Sequence, residues 1–193
     1  MITDINQLDL SRIYTYHDYL TWQFDDRVEL HRGQVVRLPN SHSDRHQVVG
    51  GNLFCEFSNF LKKNIWRVFV APNDVRLIRN LDDKKVLTVV QPDICIICDP
   101  NKRDSRGCNW VPDLIIEILS PGTSRKDVKD KFELYEEAGV SEYWIVDPLE
   151  NLTDVFVLQN NKYQLVKKYV SDDLVKVNLF PGLMINMQDI FEV

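Results

Sequence analysis

The chain has 193 residues, of which 44% are hydrophobic and 27% are charged, and this balance excludes a disordered, collagen-like or coiled-coil protein. It carries 23 Lys and Arg residues against 29 Asp and Glu residues, a net charge of −6. Proteins that surround nucleic-acid phosphates are usually basic, so such a function would need a local basic patch or a bound metal ion. No apolar run approaches the ~20 residues that cross a bilayer. The N-terminus also lacks the basic start and apolar core of a signal peptide, so we expect a cytoplasmic protein without membrane contact.

The first third of the chain predicts two helices on either side of a β-hairpin. The predicted elements are a short helix (15–24), two hairpin strands (27–30 and 34–38) and a longer helix (44–62). Gly33 marks the hairpin turn, and Ser41 or Ser43 can cap the longer helix, along which apolar residues recur every three or four positions.

The remainder alternates between strands and one clear helix. The predicted strands are 67–71, 75–78, 86–90, 92–98, 113–119, 142–146, 153–158, 163–169 and 174–179. The helix opens at Thr123 or Ser124 and ends at Ala138, before Gly139. This order predicts one mixed α/β domain over 1–193, with a central mixed sheet flanked by helices. Its parts are a helix–hairpin–helix region (1–65), a core (66–148) and a β-rich C-terminal region (149–193).

Four cysteines raise the question of a metal or redox site. They are Cys55, Cys95, Cys98 and Cys108. Cys95 and Cys98 form a CxxC pair, but the pair lies inside an apolar strand and has no second pair to complete a zinc knuckle. We therefore predict reduced cysteines that serve as small core residues.

Glu117 is a charged residue in a strand that is otherwise almost entirely apolar. Apolar residues at both alternating sets of positions indicate that both faces of the strand are covered. A buried, unpaired carboxylate costs several kcal/mol. Glu117 therefore needs a metal ion, a basic partner or an opening to water, and the strand alone favours neither a site residue nor a solvated strand end.

Asp93 is predicted to meet Glu117 across a hairpin. A loop of about a dozen residues separates the strands 92–98 and 113–119, so they can pair antiparallel. If Cys98 faces Asp113, then Asp93 faces Ile118, next to Glu117, and the two carboxylates would need a cation between them. Asp113 lies about 13 Å along the strand from Glu117 and is predicted to be a strand-start or supporting residue.

The helix after this hairpin contributes a lysine. At 100° per residue, its buried stripe contains Val128, Phe132, Leu134, Tyr135 and Ala138. Lys131 falls inside that stripe. Six other charged residues of the helix fall on the opposite side, namely Lys126, Lys129, Asp130, Glu133, Glu136 and Glu137. Lys131 therefore points towards the sheet that holds Glu117. The alternative is a lysine that extends past the core to water, which is common.

These segments together resemble a known protein family. The residues PD (92–93), VPDLIIEILSP (111–121), Lys131 and LYEEAGVSEYWIVDP (134–148) are similar to those of the "Uma two" family. This family consists of restriction-endonuclease-like proteins in the PD-(D/E)XK nuclease superfamily. The N-terminal ELHRG (29–33) and the stretch 41–53 also resemble it, so the resemblance covers nearly the whole chain.

The resemblance implies a restriction-endonuclease-like fold and metal-dependent hydrolysis of phosphodiester bonds. Asp93 and Glu117 take the places of the two metal-binding acidic residues, with Mg²⁺ as the expected ion and Mn²⁺ as a substitute. The motif expects its lysine two residues after the Glu, where this chain has Leu119. Lys131 is the replacement from the following helix, so the expected catalytic set is Asp93, Glu117 and Lys131.

Three further residues are accessory candidates. Glu29 could be an additional metal or water ligand, although a surface position on a strand is the more common situation for Glu. His42 and His46 are four residues apart near a helix start, a spacing that suits metal binding, although solvated histidines in a first helical turn are more common; the resemblance favours His46. Asp113 is the third candidate. The basic residues Lys102, Arg103, Arg106, Arg125, Lys126 and Lys129 could contact phosphates or form a solvated face.

The sequence thus predicts a magnesium-dependent endonuclease that acts on DNA. A homodimer is expected, because two symmetric sites cut a duplex most readily and the basic loop could line a shared groove. Two alternatives stay open. One is a catalytically vestigial nucleic-acid-binding or assembly module with the same fold, and the other is a hydrolase of a different phosphodiester. The acidic net charge favours these alternatives, and the Asp–Glu–Lys set favours the nuclease.

Overall fold

The computed structural model describes residues 2–39, 43–77, 82–121 and 125–192. Its α-helices are α1 (Tyr16–Tyr19), α2 (Asp44–Leu61), α3 (Arg125–Ala138) and α4 (Met187–Phe191). Its strands are β1 (Val28–His31), β2 (Gln34–Arg37), β3 (Arg67–Val70), β4 (Val75–Arg76), β5 (Val89–Val90), β6 (Ile94–Ile97), β7 (Arg103–Asp104), β8 (Gly107–Cys108), β9 (Leu114–Ile118), β10 (Glu142–Asp147), β11 (Leu152–Gln159), β12 (Lys162–Val170), β13 (Leu174–Lys176) and β14 (Met184–Asn186).

The described strands form two six-stranded sheets and one small ribbon. The central sheet has the order β12-β11-β10-β9-β6-β3, and the N-terminal sheet has the order β2-β1-β5-β4-β8-β7. In the central sheet β9 and β10 are parallel and the other pairs are antiparallel. A mixed α+β fold with a central mixed sheet flanked by helices, as predicted, is confirmed. The second large sheet was not predicted.

Helices cover both faces of the central sheet. On β9, the side chains of Leu114, Ile116 and Ile118 pack in a core with α2 residues, whereas Ile115 packs in a second core with α3 residues. Because strand side chains alternate between faces, Glu117 belongs to the face that α3 covers. The burial of both faces explains why β9 is nearly all apolar.

β6 and β9 pair antiparallel, as predicted, but the register differs by one residue. Cys95 faces Ile115 and Ile94 faces Ile116, so the register continues from Asp93 towards Glu117 itself. The predicted pairing of Cys98 with Asp113 is wrong. The carboxylate of Asp113 instead accepts a hydrogen bond from the Cys98 N–H at 2.7 Å, and β9 begins one residue later.

Several element bounds also differ from prediction. The first helix is limited to α1, whose N-cap Thr15 forms a capping box with Asp18. Ser43 caps α2, as one alternative predicted. β14 and α4 were not predicted. Ser41, Ile78, Thr123 and Ser124, which the predictions used as caps or element ends, lie outside the described residues.

The cysteine prediction holds at three positions and fails at one. Cys95 and Cys108 are buried and Cys98 is partly buried, but Cys55 is exposed on α2. Burial raises the pKa of the Cys108 thiol to about 11, so this thiol stays protonated at neutral pH. Of the described helices, none combines the length and apolar character that crossing a membrane requires.

Candidate active site

Four charged residues from four elements meet where the N-terminal sheet, the central sheet and α3 come together. Asp93 directly precedes β6, Glu117 lies in β9 and Lys131 lies on α3. Glu29 comes from β1 of the N-terminal sheet. The three residues predicted as catalytic are thus brought together, and one accessory candidate joins them.

Glu117 is 9% exposed and binds two groups from α3 through one oxygen. Its Oε1 accepts hydrogen bonds from Lys131 Nζ at 2.9 Å and from the Tyr135 hydroxyl at 2.5 Å. Burial raises the pKa of Glu117 to about 7; Lys131 opposes this increase, and the carboxylates of Asp93 and Glu29 add to it. Glu117 is therefore a buried carboxylate with two partners and not a solvated strand end. The Tyr135 hydroxyl was missed, because the periodicity placed this residue only in the apolar stripe.

Lys131 points to the sheet, as its place in the helical stripe predicted. Its Nζ lies 2.9 Å from Oε1 of Glu117 and 3.2 Å from Oε1 of Glu29. Burial favours the neutral amine, but the two carboxylates outweigh it and raise the pKa of Lys131 above its ordinary value. The alternative of a lysine extending to water is wrong, and the side chain is a fixed cation.

Asp93 is held by the backbone of β9 and by a side chain of α2. Its Oδ2 accepts a hydrogen bond from the Ile118 N–H at 2.8 Å, and Nε2 of His46 lies 3.4 Å from the same oxygen. His46 is buried in the first turn of α2. The structure therefore places this accessory candidate beside Asp93, whereas His42 lies outside the described residues.

Glu29 is completely buried, so the surface position that was thought more common is wrong. Its Oε1 accepts a hydrogen bond from the Gln91 N–H at 2.7 Å and contacts Lys131, and its Oε2 lies 2.7 Å from His31 Nε2. Burial opposes ionisation of Glu29, but Lys131 and His31 outweigh it and lower the pKa to about 2. His31 was missed. The signal was available, because strand residues two apart share a face and His31 follows Glu29 at that spacing.

Asp113 and the basic loop lie away from these groups, at the other end of β9. Asp113 Oδ1 binds Lys102 Nζ at 2.7 Å, and Arg106 forms an ion pair with Asp83 at 2.6 Å. The guanidinium of Arg103 lies 5.2 Å from the ring centre of Phe69. Asp113 thus supports the loop and does not contact the other candidate residues. On α3, Arg125, Lys126 and Lys129 are exposed.

A cavity of about 350 Å³ borders the four charged residues. Besides them, its lining includes the basic or imidazole side chains of Arg27, His31 and Arg37. Arg27 is oriented by Gln91, whose Oε1 accepts from Nε at 3.2 Å and from Nη2 at 3.0 Å. Basic side chains therefore lie beside the carboxylates at this cavity of an otherwise acidic protein.

Comparison with known proteins places this architecture in a family. The model of the Uma2 family, described as "Putative restriction endonuclease", matches residues 16–188. The chain belongs to the Uma2 family. The matched range contains Glu29, Asp93, Glu117 and Lys131, so the Uma2 region includes every residue of the cluster.

Two relatives are similar over most of the chain. The "Uncharacterized protein slr1290" of Synechocystis sp. (strain ATCC 27184 / PCC 6803 / Kazusa) is 24% identical over 163 residues, which cover 83% of this chain and 82% of that protein. A crystal structure described as "a putative nuclease belonging to DUF820", from Anabaena variabilis ATCC 29413, superposes with a TM-score of 0.71. It is 22% identical and covers 92% of this chain and 97% of its own, which shows a common fold.

The acidic residues of the cluster suit a hard divalent cation. Three carboxylates face one ammonium, so negative charge is in excess, and the raised pKa of Glu117 reflects this excess together with burial. Across the described ranges no three His, Cys, Asp or Glu side chains are grouped to hold an ion. The protein would thus supply two carboxylates, Asp93 and Glu117, and Mg²⁺ is commonly held by one or two carboxylates together with waters and substrate phosphates.

Proposed function

We propose that this protein is a magnesium-dependent nuclease that hydrolyses phosphodiester bonds in DNA. The observation that carries the proposal is the contact of Lys131 Nζ with Glu117, beside Asp93, at a cavity that basic side chains also line. A buried lysine fixed next to an acidic pair is expected in a phosphoryl-transfer site. A vestigial binding module would have no need to keep all three charges.

Asp93 and Glu117 would hold the ion through the oxygens that face away from their protein partners. Lys131 and Tyr135 both bind Oε1 of Glu117, which leaves Oε2 for the ion. The Ile118 N–H binds Oδ2 of Asp93, which leaves Oδ1. Mg²⁺, with Mn²⁺ as a substitute, supplies Lewis-acid polarisation of the phosphate and a lower pKa of the attacking water.

Lys131 acts as a cation and not as a base, because the two carboxylates keep its ammonium protonated. Its role is to orient the attacking water and to stabilise the negative charge that develops on the phosphate. Glu29 is a positioning residue: it is buried, and it holds the ammonium of Lys131 from the side opposite to Glu117.

Local cations would bind the substrate despite the net charge of −6. Arg27 and Arg37 line the cavity, and phosphate contacts of this kind position a nucleic acid without reading its sequence. We further propose a homodimer, since two symmetric sites would cut both strands of a duplex. Sedimentation at micromolar concentration tests it, and a strict monomer would remove its support.

The direct test is hydrolysis of plasmid and oligonucleotide DNA with Mg²⁺ or Mn²⁺, with EDTA as the blank. The wild type should cleave, and Glu117→Gln and Asp93→Asn should lose at least a hundredfold in rate. Asp113→Asn is the matched control, because it removes a carboxylate from the far end of the hairpin. Ion binding by calorimetry without cleavage of any DNA would favour the vestigial module instead.

A further inference from the structure

A second cavity, of about 370 Å³, lies on the α2 side of Asp93. It shares three lining residues with the first cavity, namely Arg27, Asp93 and Ile118. The first cavity extends towards β1 and α3, whereas the second extends between α2 and the end of β3. Asp93 therefore lies between two spaces of similar size and not at the end of one.

One stripe of α2 forms the wall of the second cavity. Gln47, Gly50, Gly51 and Phe54 line it, at the spacing i, i+3, i+4 and i+7 that places residues on one face of a helix. The two adjacent glycines leave this face without side chains in its middle, next to the ring of Phe54. A flat group could lie against such a surface.

Packing explains only one of the two glycines. A Cβ on Gly50 would lie 3.2 Å from Cδ1 of Ile118, which is a tight approach. A Cβ on Gly51 would meet nothing within 4 Å. Glycine inside a helix costs roughly 0.5–1 kcal/mol relative to alanine. Gly51 therefore lowers the stability of α2, and packing in the folded core does not compensate for this loss.

Resting on the proposed function, we propose that the second cavity is a binding subsite for the nucleic-acid strand beyond the scissile phosphate. The strand would place nucleotides in both cavities, with the scissile phosphate at Asp93 between them. Arg27, which lines both cavities, is placed to contact the phosphate backbone as it crosses. Phe54 offers a ring for base stacking, which is a sequence-tolerant interaction. A strand that occupies both cavities would be cut in its interior, as an endonuclease requires.

Two substitutions at Gly51 test this subsite. Gly51→Phe should fill the second cavity, and Gly51→Ala is the matched control that removes the glycine but adds only a methyl group. Neither should disturb the fold, because the position is exposed and open and both residues favour a helix over glycine. Thermal unfolding of both variants verifies this.

Two substrates distinguish strand binding in the second cavity from the hydrolysis step itself. Circular single-stranded DNA has no ends and must occupy both cavities, whereas bis(4-nitrophenyl) phosphate needs only the groups around Asp93 and Glu117. Gly51→Phe should lower cleavage of the circle at least tenfold and leave hydrolysis of the small diester within twofold of wild type. Gly51→Ala, which adds only a methyl group to the same wall, should lie between wild type and Gly51→Phe on the circle. Val70 lines the opposite wall of the second cavity. Val70→Trp should therefore also lower cleavage of the circle and spare hydrolysis of the small diester, as Gly51→Phe does.

Binding provides a readout that does not need turnover. In Ca²⁺, fluorescence anisotropy with a labelled oligonucleotide should show at least tenfold weaker binding for Gly51→Phe than for Gly51→Ala. Equal cleavage of the circle and equal affinity in all variants would overturn the subsite and leave the proposed nuclease standing. A wild type that binds the strand but hydrolyses neither substrate would overturn the nuclease, and the affinities would then decide the subsite alone.

Discussion

The ammonium of Lys131 joins the two large sheets, because it contacts Glu117 of the central sheet and Glu29 of the N-terminal sheet, at 2.9 and 3.2 Å. Both carboxylates are largely or fully buried. The lysine therefore has two tasks, one in the proposed chemistry and one in neutralising buried charge, and these tasks can be measured separately.

Lys131→Met should abolish DNA hydrolysis while leaving ion binding by Asp93 and Glu117 intact. Methionine matches the length of the lysine side chain but offers no charge to the attacking water or the phosphate. The control is Lys129→Met on the same helix, where the lysine side chain is 75% exposed. Full activity in Lys131→Met would end the assigned role, whatever the ion affinity.

The same substitution should lower the free energy of unfolding by about 3 kcal/mol, because removing one partner of a buried ion pair leaves its charge uncompensated. Glu117 would lose its ammonium, and the fully buried Glu29 would keep only His31 as a basic partner. Adding Glu29→Gln to Lys131→Met should recover part of the loss, since it removes one of these two buried charges. Urea unfolding of the four proteins of this double-mutant cycle gives the coupling, and strictly additive effects would contradict the ion pair.

Leu119→Lys should recover part of the activity in the Lys131→Met background. Leu119 lines the first cavity, two residues after Glu117, and residues two apart on an extended strand point the same way. A lysine there would present its ammonium to the same space from the sheet. The rate of plasmid cleavage measures the recovery, and Leu119→Met in the same background should show none.

The pH dependence of stability should identify Glu117 in the ion-free protein. Its folded pKa of about 7 exceeds the ordinary 4.5, so the folded chain binds more protons than the unfolded chain between these values. The stability that Glu117 contributes is therefore complete below pH 4.5 and is lost as the pH rises to 7. Melting temperatures in EDTA should fall over this window in the wild type relative to Glu117→Gln. Melting temperatures that change with pH in the same way in both proteins would contradict the raised pKa of Glu117.

Mg²⁺ or Mn²⁺ should reverse this trend, because an ion that binds the folded state at ionised carboxylates stabilises it by mass action. At pH 7.5 the melting temperature of the wild type should rise with ion concentration, and that of Glu117→Gln should change little. Lys129→Met should respond as the wild type does.

Glu142 provides a test of the fold that does not involve the site. It is 1% exposed, and its Oε1 accepts hydrogen bonds from Trp144 Nε1 at 2.9 Å and from the Asn178 N–H at 3.2 Å. Its Oε2 accepts from the Leu179 N–H at 2.6 Å. Glu142→Leu leaves these donors buried without acceptors and should cost about 3 kcal/mol. Glu142→Gln, which keeps one carbonyl oxygen, should cost clearly less in the same urea titration.

Local periodicity was sufficient to find Lys131, because a helix repeats on a scale of a few residues and a charge inside an apolar stripe is visible in the sequence. The antiparallel pairing of β6 and β9 was also predictable, since the loop between them is short. Their register was not predictable. The one-residue shift depends on the position of Asp113, whose carboxylate accepts a hydrogen bond from the Cys98 N–H.

The part of the site contributed by β1 could not be predicted from local patterns. The short strand that holds Glu29 looks like half of a surface hairpin, and its burial arises from the pairing of Leu30 with Val89 and from α3, both distant in the chain. The Tyr135 hydroxyl was missed for the same reason, because its partner Glu117 is set by how α3 packs on the central sheet.

The charged groups of the proposed site are held by two different pieces of the fold, because the lysine comes from a helix and the acidic pair from paired strands. Asp93 and Glu117 are fixed to each other by the ladder of β6 and β9, whereas Lys131 reaches them only through the docking of α3. A shift of that helix by one or two ångströms would separate the Lys131 ammonium from Glu117 while the two carboxylates stayed in place relative to each other. A lysine placed at Leu119 would have no such independence, because the strand that holds Glu117 would hold it too.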